Sequence, residues 1–170
     1  MYILSVISFL LLGGFLLLAA MRFGVPAMVS DVYYQLQDCT GSEVIGDKHK
    51  RNYGWVFTAV MVTCAVLMMI CMLATGKGVQ CLAFIGCAGL MFVGFAPNYL
   101  DADDYPIHKV GALVAAAGCV GWCMSVCWVP TAVIALIYLL LVSCSYKPVW
   151  YMAEVAGFLD VFLTYWVTDW

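Results

Sequence analysis

Residues 53–74 read YGWVFTAVMVTCAVLMMICMLA, an apolar run without a single charge. A helix crosses the hydrocarbon core of a bilayer with roughly 20 apolar residues, and about 17 is the lower limit. This run meets that length, and two others match it: Met1–Met21 and His108–Cys127. Gln80–Ala96 and Val129–Ser145 are shorter and sit at the lower edge. Pro148–Thr168 is long enough but carries Glu154 and Asp160. The pattern predicts an all-α fold: one polytopic transmembrane helix bundle over residues 1–170, with about six spans at 1–21, 53–74, 80–96, 108–127, 129–145 and 148–168.

Composition agrees with that pattern along the whole chain. Of the 170 residues, 66% are hydrophobic and 10% charged, where soluble domains carry roughly a quarter charged residues. With a mean hydropathy of +1.02, too little polar surface remains to coat a water-soluble globule. A soluble enzyme and a disordered chain are thereby excluded. The net charge of −3 offers no basic patch, so no nucleic acid is expected as a partner.

The first segment has no basic residue ahead of its apolar run, and Arg22 follows it, so it reads as a retained helix rather than a cleaved signal peptide. Pro130 falls where a fifth span would open, a position that tolerates the missing N–H. The tight connections at Thr75–Val79 and Trp128 predict antiparallel hairpins, and the half-apolar piece Phe23–Gln37 suits a short interfacial helix. With six spans both termini share one side. Arg22, Lys48, Lys50, Arg51, Lys109 and Lys147 then lie opposite them, against Lys77 alone on the terminal side. The positive-inside rule puts the long loops in the cytoplasm and the termini outside, in a bacterial cytoplasmic membrane.

Eight of the nine cysteines fall inside apolar runs, and Cys119, Cys123 and Cys127 repeat every four residues along one helical stripe. Thiolates in hydrocarbon would need a metal to cancel their charge, and no histidine lies nearby, so the stripe reads as soft packing residues and no metal site is assigned. The acidic run Asp101-Ala-Asp103-Asp104 lacks the glycine and distant glutamate of a calcium loop. His49, between lysines, reads as solvated.

Function in such a chain is sought where polarity is expensive, since a mid-bilayer carboxylate costs roughly 2.5–3.5 kcal/mol even on the mildest scale. Asp160 lies deep in the sixth segment, on a small and polar stripe with Ala153, Ala156, Gly157, Thr164 and Thr168. That stripe turns Asp160 into the bundle, either as a hydrogen-bonding strut or as a functional acid, base or ion contact. Glu154 is six residues earlier and about 120° off the stripe. His108 opens the fourth segment at the mouth of a small-residue face formed by Gly111, Ala112, Ala115 and Cys119. Ser30-Asp31-Val32-Tyr33-Tyr34 brings a hydroxyl, a carboxylate and two amphipathic rings to the same side. The ligand-cleft candidates are therefore Ser30, Asp31, Tyr33, Tyr34, Asn98, His108, Glu154 and Asp160. No cofactor is implied, and no catalytic residue is assigned, because no Ser-His-Asp order, phosphate loop or dinucleotide turn occurs.

Several stretches occur together: Pro26 through Tyr34, Gly54-Trp55-Val56-Phe57 opening a span, residues 89–98 (GLMFVGFAPN), and Ile107-His108 entering the next helix. Their order resembles a group of uncharacterised bacterial six-helix membrane proteins, which in turn resemble the Frag-like branch of the CREST superfamily. CREST hydrolases share a serine, an aspartate and three histidines around zinc. Ser30, Asp31, His108 and Asp160 are the residues here that could stand in such places, and with two histidines the chain departs from that pattern. What the resemblance implies is a lipid-related or small-ligand role in a bundle cavity. The expected function is an intrabundle polar cleft that binds or handles a lipid or small amphipathic ligand, with membrane lipids as partners. The alternatives are an oligomeric ion channel, a metal-assisted lipid hydrolase, and a structural subunit of a membrane assembly.

Overall fold

A computed structural model describes residues 1–38, 53–144 and 147–168. Cys39 and His49 lie outside them. Seven helices and no strand occur among the described residues: α1 (Tyr2–Phe23), α2 (Asp31–Asp38), α3 (Gly54–Ala74), α4 (Gln80–Phe95), α5 (Asp104–Val126), α6 (Trp128–Ser143) and α7 (Val149–Thr168). Three of them, α1, α3 and α5, are long and apolar enough to cross a membrane, which points to a membrane location. The expected six spans thus reduce to three that meet this measure. The apolar helices α4 and α6 have 16 residues each, about 24 Å of helix against a hydrocarbon core of about 30 Å. α7 has 20 residues and carries two carboxylates.

Cross-chain hydrogen bonds fix the direction of the elements. At one end the Cys71 thiol approaches the Met1 carbonyl, Lys77 Nζ donates to the Thr168 carbonyl, and the Val79 N–H donates to Ser125 Oγ (2.9 Å). The start of α1, the α3–α4 turn, the α5–α6 turn and the end of α7 therefore meet there. At the opposite end the Tyr151 N–H, which has no partner within its own helix, donates to the Ala27 carbonyl (3.0 Å) and ties the start of α7 to the turn before α2.

Glycine sets the closest helix pair. A Cβ on Gly118 of α5 would lie 2.6 Å from Gly86 Cα on α4, and one on Gly89 would lie 2.6 Å from the Ala115 nitrogen. Bare backbones meet along this seam, as small residues allow between membrane helices. The main core lies between α1, α3, α5 and α7, where Phe57, Met61, Met72, Trp122 and Tyr165 are fully buried. Phe9 packs edge-on against Trp166 with centroids 5.1 Å apart. By contrast α6 has no buried residue and lies on the outside, against α7 and the end of α5.

Two local departures from the sequence reading matter for the site. Within the piece Phe23–Gln37 the second helix starts only at Asp31, because Gly24 at φ 85° ends α1 after Phe23 and Pro26 follows two residues on. Helix α5 begins at Asp104, about one turn before the expected start, since Pro106 is tolerated in a first turn. That extra turn places His108 inside the helix and beneath the α4–α5 connection.

Candidate functional site

The segment between α1 and α2 folds over the open end of the bundle. Asp31, in the first turn of α2, reaches back to accept the Met28 N–H through Oδ2 (2.9 Å), in the manner of a capping box. Its Oδ1 accepts the Tyr99 hydroxyl. Tyr34 Oη donates to Asn98 Oδ1 (3.0 Å) and accepts the Leu100 N–H (2.8 Å). These bonds clamp the α4–α5 connection onto α2. Rings reinforce them: Tyr34 stands edge-on to Tyr99 at 5.3 Å, and Tyr33 stands edge-on to both Tyr34 and Phe57. Burial pushes the Tyr34 and Tyr99 hydroxyls above the ordinary phenol range, and for Tyr99 the Asp31 carboxylate adds to the rise. Both phenols remain neutral donors at physiological pH.

Beneath this clamp lies His108, 8% exposed, with both ring nitrogens engaged. Nδ1 is 2.8 Å from the Ala96 carbonyl, and Nε2 is 3.0 Å from Ser30 Oγ. A carbonyl oxygen can only accept, so Nδ1 carries the hydrogen. In the neutral ring Nε2 is then the acceptor, and Ser30 Oγ–H donates to it. The neighbouring Val29 N–H donates to Glu154 Oε2, which joins the first turns of α7 to the same segment.

Ser30 and Glu154 face a cavity of about 430 Å³ between α1, α3, α4, α5 and α7. Its other walls are apolar, among them Leu12, Phe57, Met61, Met68, Leu90 and Phe162, with the thiols of Cys64, Cys87 and Cys119. The volume falls in the range of small-molecule sites, about 300–1,000 Å³. The cavity reaches the bundle flank between α5 and α7, where lining residues Leu113 and Trp150 are 63% and 70% exposed. A second hollow, on the outer face of α4 and α5 around Phe84, Phe92 and Val110, has no polar side chain in its lining.

Of the eight sequence candidates, Ser30, Asp31, Tyr34, Asn98 and His108 come together in one polar cluster, Tyr33 joins through its ring, and Glu154 adjoins through Val29. Asp160 stands apart. It is 3% exposed, accepts from Thr131 Oγ1 of α6 (3.0 Å) and Thr164 Oγ1 (3.3 Å), and is absent from the cavity lining. Two participants escape sequence reasoning. Tyr99 differs little from any interfacial tyrosine until Asp31 is seen beneath it, and the Ala96 carbonyl has no side-chain signature at all. Among the described residues no group of three His, Cys, Asp or Glu side chains is arranged to hold a metal ion, and the eight described cysteines are free thiols.

Among the described residues, fold and site together define an all-helical bundle with three helices fit to cross a membrane and an internal cavity that has a polar cluster at one end. No family model matches the chain, nor does any curated protein or solved structure.

Proposed function

We propose that this chain is a six-span integral membrane protein that takes up a single-chain amphipathic lipid. The acyl portion would lie in the cavity and the polar end beside Ser30 and Glu154. The observation that carries the reading is the character of the cavity: apolar along its length, polar at one end only, and open sideways between α5 and α7. A soluble ligand would meet the wrong walls, whereas a lipid could slide in from the bilayer without crossing water.

On this reading α4, α6 and α7 also cross the membrane. The roughly 6 Å deficit of the 16-residue helices is accommodated by local thinning of the bilayer and by flanking anchors such as Trp128 and Lys77. The basic residues on the polar-cluster side favour a cytoplasmic position for the Ser30–His108 end of the bundle, in a bacterial inner membrane. Asp160 acts as a strut between α6 and α7.

Filling the cavity tests this reading. A Cβ on Gly157 meets nothing within 4 Å, and Gly157 lines the cavity. Gly157→Leu should therefore occupy the space of the acyl chain without disturbing the fold. Lipid extraction and mass spectrometry of protein purified in detergent should find a stoichiometric lipid on the wild type and a several-fold loss on the variant. Equal retention by both would refute the proposed seat.

A further inference from the structure

We propose that Ser30 is a nucleophile and His108 its general base, so that the site transfers the acyl group of a carboxylic ester rather than merely holding it. The inference rests on the lipid-binding reading and deepens it by naming the bond that is cut. Serine attacks carbonyl carbon only when a base takes its proton, which requires the two side chains within about 2.6–3.2 Å and the base oriented by a third group. Both requirements are met. Ser30 Oγ is 3.0 Å from His108 Nε2, and the Ala96 carbonyl, 2.8 Å from Nδ1, fixes the tautomer whose free lone pair faces the hydroxyl.

A buried histidine that is simply satisfied would show the same two bonds, so placement decides. Ser30 lines the cavity and His108 does not. The hydroxyl thus stands on the ligand side of the pair, with the imidazole directly behind it. In a purely structural pair neither partner need face the cavity. The polar end is also where the ester carbonyl of an amphipathic lipid comes to rest when its chain fills the apolar walls.

The step balances with water as the single co-reactant. Ser30 Oγ bonds to the ester carbonyl carbon while its proton passes to His108 Nε2. The carbon–oxygen bond to the alcohol then breaks, and that alcohol leaves with the proton from Nε2. The acyl group is now an ester of Ser30. A water molecule gives a proton to Nε2 and attacks the same carbon, the Ser30–acyl bond breaks, and Ser30 recovers its proton as the carboxylic acid departs. Throughout, the Ala96 carbonyl accepts from Nδ1–H and steadies the transient imidazolium.

The full chain in detergent micelles is treated with a long-chain alkyl fluorophosphonate, and the adduct is located by peptide mass spectrometry. Hydrolysis of 4-nitrophenyl decanoate is followed in parallel. The expected result is a single adduct on Ser30 of the wild type, slowed about 100-fold or more in His108→Gln, with ester turnover lost in Ser30→Ala. Mapping on the wild type keeps the test decisive even where a variant fails to fold. Wild type that retains its lipid yet shows no adduct on Ser30 overturns the nucleophile and leaves the binding reading standing. Labelling as fast in His108→Gln as in the wild type overturns the base. An adduct on Ser30 in protein that retains no lipid upholds the chemistry and sinks the binding reading instead.

Discussion

Replacing Gly118 with alanine adds one methyl group where the backbones of α4 and α5 meet. That Cβ would lie 2.6 Å from both Gly86 Cα and the Gly86 nitrogen, and 2.9 Å from the Leu82 carbonyl oxygen. Carbon atoms rest at about 3.5–4.0 Å, so α4 and α5 must separate by about 1 Å along the seam. The obstacle is backbone, which has no rotamer to change. Overpacking of this kind costs about 1–3 kcal/mol, offset by up to about 1 kcal/mol because alanine favours helix over glycine. The net expectation is a loss of about 1–2 kcal/mol. Gly13→Ala is the matched control, since a Cβ there meets nothing within 4 Å, and it should be neutral or slightly stabilising. Helicity followed by circular dichroism during titration from mild detergent into SDS measures both. Gly118→Ala as stable as Gly13→Ala would show that the α4–α5 contact is looser than described, and Ala96 and His108, which sit on these two elements, would lose their fixed spacing.

Asp160→Asn keeps an acceptor for Thr131 and Thr164 and should cost less than about 1 kcal/mol, as interhelical hydrogen bonds in membranes average about 0.6. Asp160→Leu strands both hydroxyls and should cost about 1–3 kcal/mol, while lipid retention by the Asn variant stays at the wild-type level; loss of lipid there would return Asp160 to the site. The raised Tyr99 hydroxyl favours the neutral phenol in the folded chain, so its contribution holds below pH about 10 and fades as pH rises beyond that. Melting at pH 9 and pH 11 should show a smaller alkaline loss in Tyr99→Phe than in the wild type, and an equal loss would place the titration elsewhere. Lys77→Cys, in a chain whose Cys39, Cys81 and Cys144 are serine, should react with an impermeant maleimide in intact cells; reaction only after lysis would invert the proposed orientation.

The apolar runs determined by themselves that the chain is helical and belongs with lipid, because a segment such as 53–74 has nothing else to do with its side chains. The hairpin at Thr75–Val79 and the small-residue face below His108 were equally legible, since turn length and side-chain size are local properties. The polar cluster was legible as a set of residue types at one end: Ser30, Asp31, Tyr34, Asn98 and His108 all stand near apolar boundaries, where polarity is noticed. Their pairing was not. Which nitrogen of His108 faces Ser30 depends on the Ala96 carbonyl, freed by the end of α4 and brought over the ring by the extra turn of α5. Asp160 shows the opposite case. Burial depth and the stripe around it mark it as costly, but cost alone does not distinguish a ligand contact from a strut. The packing of α6, which buries no residue of its own, brings Thr131 to the carboxylate. Periodicity fixes which face of a helix turns inward; only the packing of the other helices decides what that face meets, and the cavity lies where residues of α1, α3, α4, α5 and α7 face one another without filling the space between them.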